Sequence, residues 1–416
     1  MERLGTRPPP DMLARMRPLS LVAAIAAAVL LLPACAGPDY GRALPPGAPA
    51  LLPLEPGEPR PDVATAWDER EIALEALERS RVWLERPIAA AKYPMAGIDH
   101  ARSLASVIRL GELLSTTSSA SEFRQRVEEE FDWFKSAGWD GNGGGVLFTG
   151  YYTPIFDGRE EPDAQFRYPL YARPDDVFTK PDGTVVWKLR NGSELPYPTR
   201  RSLEEGDMLK NRDLEVAYLR DPFEAYICHV QGSAFLRVES GELLKLGFGG
   251  TNGLEYTSLA KVLVEAGEID EDHEGLPALI RWAQQNPERL SEFTHKNDRF
   301  VFFQKITGNP HGSLDFPVQT DYSLATDKTL FPMAAPTWVS WPATTNRAGR
   351  QSALEHLMFD QDTGGGIRTA GRGDIYMGIG DQAGERAGRT MAEGQLYYFF
   401  LKPELVGAHL PNAPQP

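Results

Sequence analysis

The sequence predicts a mainly β protein with a block of helices on its N-terminal side. Between residues 65 and 137, apolar side chains recur at helical spacing. From Gly141 the texture breaks into short strand-like runs with turn residues between them, and two helical patterns interrupt these runs. Many short strands separated by turns point to a barrel or sandwich and away from an alternating α/β sheet.

The elements follow in order. "WDEREIALEALERSRVWLER" places Ile72, Leu74, Leu77, Val82 and Leu84 at helical spacing, and "SLASVIRLGELL" forms a second helix. "SEFRQRVEEEFDWFKSA" reads as a third, with Ser121 as N-cap and Phe123, Val127, Phe131 and Phe134 on one face. "GNGGG" ends it, and "VLFTGYYTPIF" is the first long strand. Strand-like runs follow in "FRYPLYAR", "TVVWKLR", "EAYICHVQGSAFLRV" and "LLKLGFGG", and helices from Ser258 and Leu276. "RFVFFQKI", "TWVSW", "DIYMGIG" and "QLYYFFLKP" return the chain to strand.

The chain has 416 residues and a formal net charge of -15, which argues against non-specific nucleic-acid binding, because phosphate contacts need clustered Lys and Arg. There are two cysteines, Cys35 and Cys228, without a CxxC, and seven scattered histidines without HExxH. A disulfide framework and a metal site are therefore not expected. "TGGGI" lacks the GxxxxGK[ST] and GxGxxG patterns of phosphate loops, and no cofactor is expected.

The N-terminus reads as an address. Arg15 and Arg17 precede an apolar core from Leu19 to Leu32, shorter than the roughly 20 residues of a spanning helix. The ending "LPAC" resembles a bacterial lipoprotein signal, residues 1–35, with Cys35 as the lipidated residue after cleavage. Ala36, rather than aspartate, follows it, which by the same resemblance favours the outer membrane, facing the periplasm. A plain cleaved signal with an incidental cysteine is the alternative. Residues 36–64 are rich in Pro, Gly and Ala and read as a flexible tether. Cys228 is then left as a reduced packing residue.

Two stretches carry candidate chemistry. "DTGGGIRTAGRGDIYMG", residues 362–378, sets Asp362 and Asp374 at either end of a glycine-rich run. Asp374 heads a strand. In an apolar groove its pKa would rise and make it a proton donor. A turn-forming aspartate is the other reading. "FTGYYTP", residues 148–154, places Thr149 and Gly150 before Tyr151 and Tyr152, adjacent tyrosines on opposite strand faces. One can pack inward while the other stacks on a sugar. Gln231, Ser233, Asn252 and Tyr256 add neutral polar groups suited to carbohydrate, although each alone also suits a structural role.

Four segments in sequence resemble the membrane-bound lytic murein transglycosylase A family. They are "FTGYYTP" with "YPLYARP", "VQGS" with "GFGGTNGLEYTS", "SLATDKTLFPMAAP", and the run from "DTGGGIRT" through "GQLYYFFLKP". The resemblance implies a double-psi β-barrel domain, residues 65–154 and 306–405 with the helices, and a second β-domain, residues 155–305, inserted in it. Glycan would lie in the groove between them. It implies Asp374 as catalytic acid, Asp362 as supporting acid and Asp327 as a more structural member of the barrel acids. Thr149, Gly150, Tyr151, Tyr152, Gln231, Ser233, Asn252, Tyr256, Gly364 and Gly365 become substrate-binding candidates, with backbone amides of Gly364 to Gly366 among the groove donors. The family commonly has Gly-Arg after the serine where this chain reads Gln-Gly-Ser-Ala-Phe, and the connection to Asp374 is slightly longer here than in close relatives.

The implied activity is a lytic cleavage of peptidoglycan strands that leaves a 1,6-anhydro-N-acetylmuramic acid end. Peptidoglycan and, through the lipid anchor, the outer membrane are the expected partners. A non-catalytic glycan-binding lipoprotein, a hydrolase using the same groove, and a divalent-metal site of Asp360, Asp362 and Asp381 are the alternatives. The last lacks the Asp-x-Asp-x-Asp-Gly pattern of a calcium loop.

Overall fold

Six of the strands close into a ring. Met391–Leu401 pairs with Pro336–Trp341, and the order continues through Leu354–Asp362, Ser323–Ala325, Arg372–Ile379 and Val146–Thr153, which pairs back onto Met391–Leu401. Two of these pairings are parallel, Ser323–Ala325 with Leu354–Asp362 and Arg372–Ile379 with Val146–Thr153. The other pairings in the ring are antiparallel. A closed ring leaves no bare edge of its own. The computed structural model describes residues 37–410 except 182, 190, 271–274, 347 and 348.

Period-two alternation decides which side each residue faces. Phe148, Leu324, Val339, Met358, Ile375 and Leu396 share one buried cluster that draws on every strand of the ring. Their chain neighbours Trp338, Leu357 and Phe359 join a second cluster with Leu77, Leu84, Leu110 and Leu114 of the helices. Those helices, Arg70–Leu84 and His100–Thr116, therefore cover the outside of the ring with one apolar stripe each. Asp99 caps the second, its carboxylate accepting from the Arg102 amide at 2.7 Å.

Three expectations are corrected here. The third helix spans only Ala120–Glu130, capped by Ser119 rather than Ser121, and Phe131–Ser136 is a strand beside Met391–Leu401. "FDWFKS" alternates with period two, and that pattern overrides the helical spacing. The run around Cys228 is a helix, Pro222–Gln231, followed by the strand Ala234–Arg237. Asp221 caps it, Pro222 occupies its first turn, and Gly232 closes it at φ 75°, a left-handed conformation that suits glycine. The tether reading fails for much of 36–64. Leu51–Pro53 pairs with Phe131–Ser136, Ala50, Leu51 and Val63 are buried, and the Tyr40 carbonyl accepts from Thr369 Oγ1 at 2.6 Å. From Asp39 onward the chain forms one compact unit.

Between the ring strands Val146–Thr153 and Ser323–Ala325, the chain builds a second β region. Its main sheet runs Val301–Lys305, Leu243–Thr251, Ala234–Arg237, Ile155–Asp157. Cys228 is fully buried in its core beside Leu170, Leu236 and Phe303. No helix among the described residues is long and apolar enough to cross a membrane.

Candidate active site

Strand register brings the two acids of the glycine-rich stretch to one end of the ring. Ala325 lies opposite Asp362 on one side and Asp374 on the other. Neighbouring strands lie about 4.8 Å apart, so the two backbones are roughly 10 Å apart. Asp374 is in turn opposite Thr149 on the next strand.

The acids are held differently. Thr149 Oγ1 donates to Asp374 Oδ1 at 2.7 Å. Among the described residues Asp374 Oδ2 accepts no hydrogen bond. Loss of hydration pushes the Asp374 carboxyl up to about 6, against the Thr149 bond and the Arg372 charge and with a further push from Asp362. Asp362 accepts three hydrogen bonds instead. Tyr151 donates its hydroxyl to Oδ2 at 2.6 Å, and the amides of Ser313 and Thr363 donate to Oδ1 at 2.9 and 2.8 Å. Burial raises its pKa, and those donors oppose the rise.

Asp327 does not join this pair. Its Oδ1 accepts from the amide and hydroxyl of Thr329, and its Oδ2 from the Thr369 amide at 3.0 Å. Its support is therefore to two turns of backbone. Asp360, two residues before Asp362, is fully buried and ion-paired with Lys328.

The tyrosine strand divides as expected. Tyr151 turns to Asp362, its ring 5.2 Å from that of Tyr376. Tyr152 is buried on the other face, where a Cβ at Gly384 would meet its ring at 2.8 Å. Its amide donates to Gln231 Oε1 at 3.0 Å, so Gln231 ties the second β region to the ring. Three of the substrate-binding candidates have scaffold contacts. A Cβ at Gly150 would lie 2.9 Å from Ala387 Cα, so that glycine permits close packing of strand on helix. Ser233 is buried, with Oγ 3.1 Å from Thr153 Oγ1, which in turn lies 3.0 Å from the Tyr376 hydroxyl. Asn252 is fully buried. Its Nδ2 donates to the carbonyls of Pro198 and Asp298, and its Oδ1 accepts from the Phe300 amide. Both side chains are spent on the scaffold.

Tyr256 brings the second β region to the acid. A Cβ at Gly366 would meet its ring at 3.1 Å, and one at Gly365 would lie 2.9 Å from Arg299 Nε. The glycine turn is thus a close-approach surface on which Tyr256 and Arg299 rest, and Gly364 packs on Ile367. Burial pushes the Tyr256 phenol up, with Arg372 and Asp374 among its electrostatic neighbours.

Sequence reasoning missed Arg372, whose Nη2 lies 3.3 Å from Thr149 Oγ1. Its signal was present: two residues before Asp374 on a strand means the same face. It missed Arg299 as well, which no local pattern marks. Among the described residues no three acids, histidines or cysteines converge on a possible metal, and Asp360 and Asp362 are committed elsewhere. A hollow of about 250 Å³ in the second β region is lined by Asp157, Arg159, Arg220 and Arg237. Those arginines are already paired with Asp157 and Glu239, as in a surface ion-pair network. Cys35 lies outside the described residues.

Residues 147–304 match a family model described as the MltA specific insert domain, and residues 322–400 match the 3D domain. Membrane-bound lytic murein transglycosylase A of Vibrio cholerae is 31% identical over 264 residues, covering 62% of this chain and 66% of that protein. The Escherichia coli protein of the same name is 30% identical over 266 residues, covering 63% and 67%. The chain thus spans about two thirds of the length of the curated relatives it matches. Among solved structures, a membrane-bound lytic murein transglycosylase from Agrobacterium tumefaciens superposes with a TM-score of 0.68 at 24% identity, over 86% of this chain and 99% of that one. E. coli MltA with bound chitohexaose gives 0.64 at 22% identity, over 88% and 98%. At these identities the structural likeness speaks for the fold.

Proposed function

The chain belongs to the membrane-bound lytic murein transglycosylase A family, and from that membership and the state of Asp374 we propose that it is a peptidoglycan lytic transglycosylase. It cleaves the β-1,4 bond between N-acetylmuramic acid and N-acetylglucosamine and leaves a 1,6-anhydro-N-acetylmuramic acid end. The observation that carries the reading is the contrast between the two acids. Asp362 is held by three donors, whereas Asp374 has one donor and a half-buried carboxyl whose pKa is pushed up to about 6.

Most glycosidases pair two available carboxyl groups across the bond. Asp374 alone suffices if the attacking group belongs to the substrate. Asp374 gives its proton to the leaving oxygen as the bond to C1 breaks. The C6 hydroxyl of the same muramic acid bonds to C1 and gives its proton to the Asp374 carboxylate. The enzyme ends in its starting protonation state and no water is consumed. Intramolecular attack of this kind can have an effective molarity of about 10⁵ M or more when well oriented. The ring with its helices, 65–154 and 306–405, supplies the acid, and the inserted region, 155–305, closes on it through Tyr256 and Gln231.

Product mass tests the reading. Digested sacculi are expected to release muropeptides one water lighter than hydrolysis products. Products carrying a reducing end would identify a hydrolase, and binding without release would identify a glycan-binding protein. The pH profile gives a second check. The acid must begin protonated, so kcat is expected to fall as pH rises through about 6. A profile flat across that range would contradict Asp374 as the proton donor.

Residues 1–35 act in this reading as a lipoprotein signal, with Cys35 carrying the lipid that holds the enzyme at the outer membrane. Cys35→Ser is expected to move the protein from the membrane to the soluble fraction. Retention in the outer-membrane fraction would refute the anchor.

A further inference from the structure

We infer that Arg372 acts through Thr149 as a positioning residue that fixes which carboxyl oxygen of Asp374 carries the transferable proton. The inference rests on the reading of Asp374 as the acid. It follows from hydrogen counting. A guanidinium only donates. Arg372 Nη2 lies 3.3 Å from Thr149 Oγ1, so the hydroxyl oxygen accepts on that side. Arg372 takes one of the two lone pairs of the threonine hydroxyl, whose single hydrogen is directed at Asp374 Oδ1, 2.7 Å away. Oδ1 accepts when the carboxyl is ionised, and the guanidinium on the hydroxyl oxygen keeps Oδ1 the acceptor when the carboxyl is neutral. The proton of the neutral acid sits on Oδ2, the oxygen that accepts no bond among the described residues.

Backbone geometry holds the three groups together. Arg372 and Asp374 are two residues apart on one strand and share a face, and Thr149 is the register partner of Asp374 on the parallel neighbour. The other titratable groups acting on or near the site are Asp362 from the strand Leu354–Asp362, Tyr151 from the tyrosine strand, Tyr256 from the inserted region, and Tyr376 from the strand of Asp374 itself. Arg372 draws the Asp374 carboxyl down, and Asp362 pushes it up.

Arg372→Gln is expected to lower kcat on sacculi about tenfold with KM little changed, because the acid loses its orientation. The basic limb of its pH profile should move to higher pH, because the opposing positive charge is gone. Arg372→Lys keeps the charge and should return the limb towards its original position. At a pH below the basic limb, where the charge effect on protonation is absent, Arg372→Gln/Thr149→Val should lose no more than Thr149→Val alone, since both changes there act on one hydrogen bond. A limb that stays in place in Arg372→Gln, or losses that multiply in the double variant, would overturn the inference. Should Arg372→Gln fail to fold, neutron diffraction of the unaltered protein near pH ~5, below the Asp374 value, decides the matter. Deuterium on Oδ2 is expected, and deuterium on Oδ1 refutes it. Failure of the underlying reading is distinguishable, since Asp374→Asn would then remain active whatever Arg372 does.

Discussion

Asp374→Asn is expected to lower the release of anhydromuropeptides from purified sacculi by about 10³-fold or more, a barrier increase of about 4 kcal/mol. The substitution is close to isosteric, and the amide oxygen can still accept from the Thr149 hydroxyl. What it removes is the proton that leaves and returns. A general acid–base group contributes about 10² to 10⁴ in rate, and here one group serves both halves of the reaction. The melting temperature should stay close to that of the unaltered protein, because the amide is less costly than a carboxyl at a site that already disfavours charge. Near-normal product release from a folded Asp374→Asn protein would remove Asp374 from the mechanism and leave Asp362 to be tested in its place.

How far the sequence could be read depends on which interactions are local. The tyrosine pair was legible because strand alternation alone sends Tyr151 and Tyr152 to opposite faces, and that is how they lie. The helix Pro222–Gln231 carried its start and stop signals in Asp221, Pro222 and Gly232, yet its aromatic and β-branched residues read as strand. The short helix Ala120–Glu130 was over-extended because Phe131 and Phe134 fit both periods until the neighbouring strand fixes one. Asn252 and Ser233 carry groups that suit a sugar. Only three-dimensional neighbours such as Pro198, Asp298 and Thr153 show that those groups are already used. The contrast between Asp362 and Asp374 is likewise non-local, since it depends on Tyr151 and Ser313, which are distant in the chain.

Lys328→Met is expected to destabilise the protein by about 3–5 kcal/mol, the usual cost of stripping one partner from a buried ion pair. Lys328 Nζ is paired with the fully buried Asp360 and lies 3.1 Å from Thr326 Oγ1. Asp360 also accepts from the Tyr398 hydroxyl at 2.7 Å and from Thr326 Oγ1. Burial pushes the carboxyl up and the ammonium down, each drawn back by the other's charge. Without the lysine the carboxyl stays in the ring interior with the hydroxyls of Tyr398 and Thr326 but no opposite charge to offset its own. A melting temperature lower by roughly 5 °C should result. Lys328→Met/Asp360→Asn should recover most of the loss, because the amide can still accept from Tyr398 and Thr326 while the uncompensated charge is gone. A single Lys328→Met variant that melts with the unaltered protein would show that the pair contributes nothing. The consequence reaches the site through register. Asp360 and Asp362 lie on one strand, and the neighbouring Leu324 and Ala325 face them. An anchor lost at Asp360 therefore loosens the strand that sets Asp362, and through Ala325 the strand that sets Asp374.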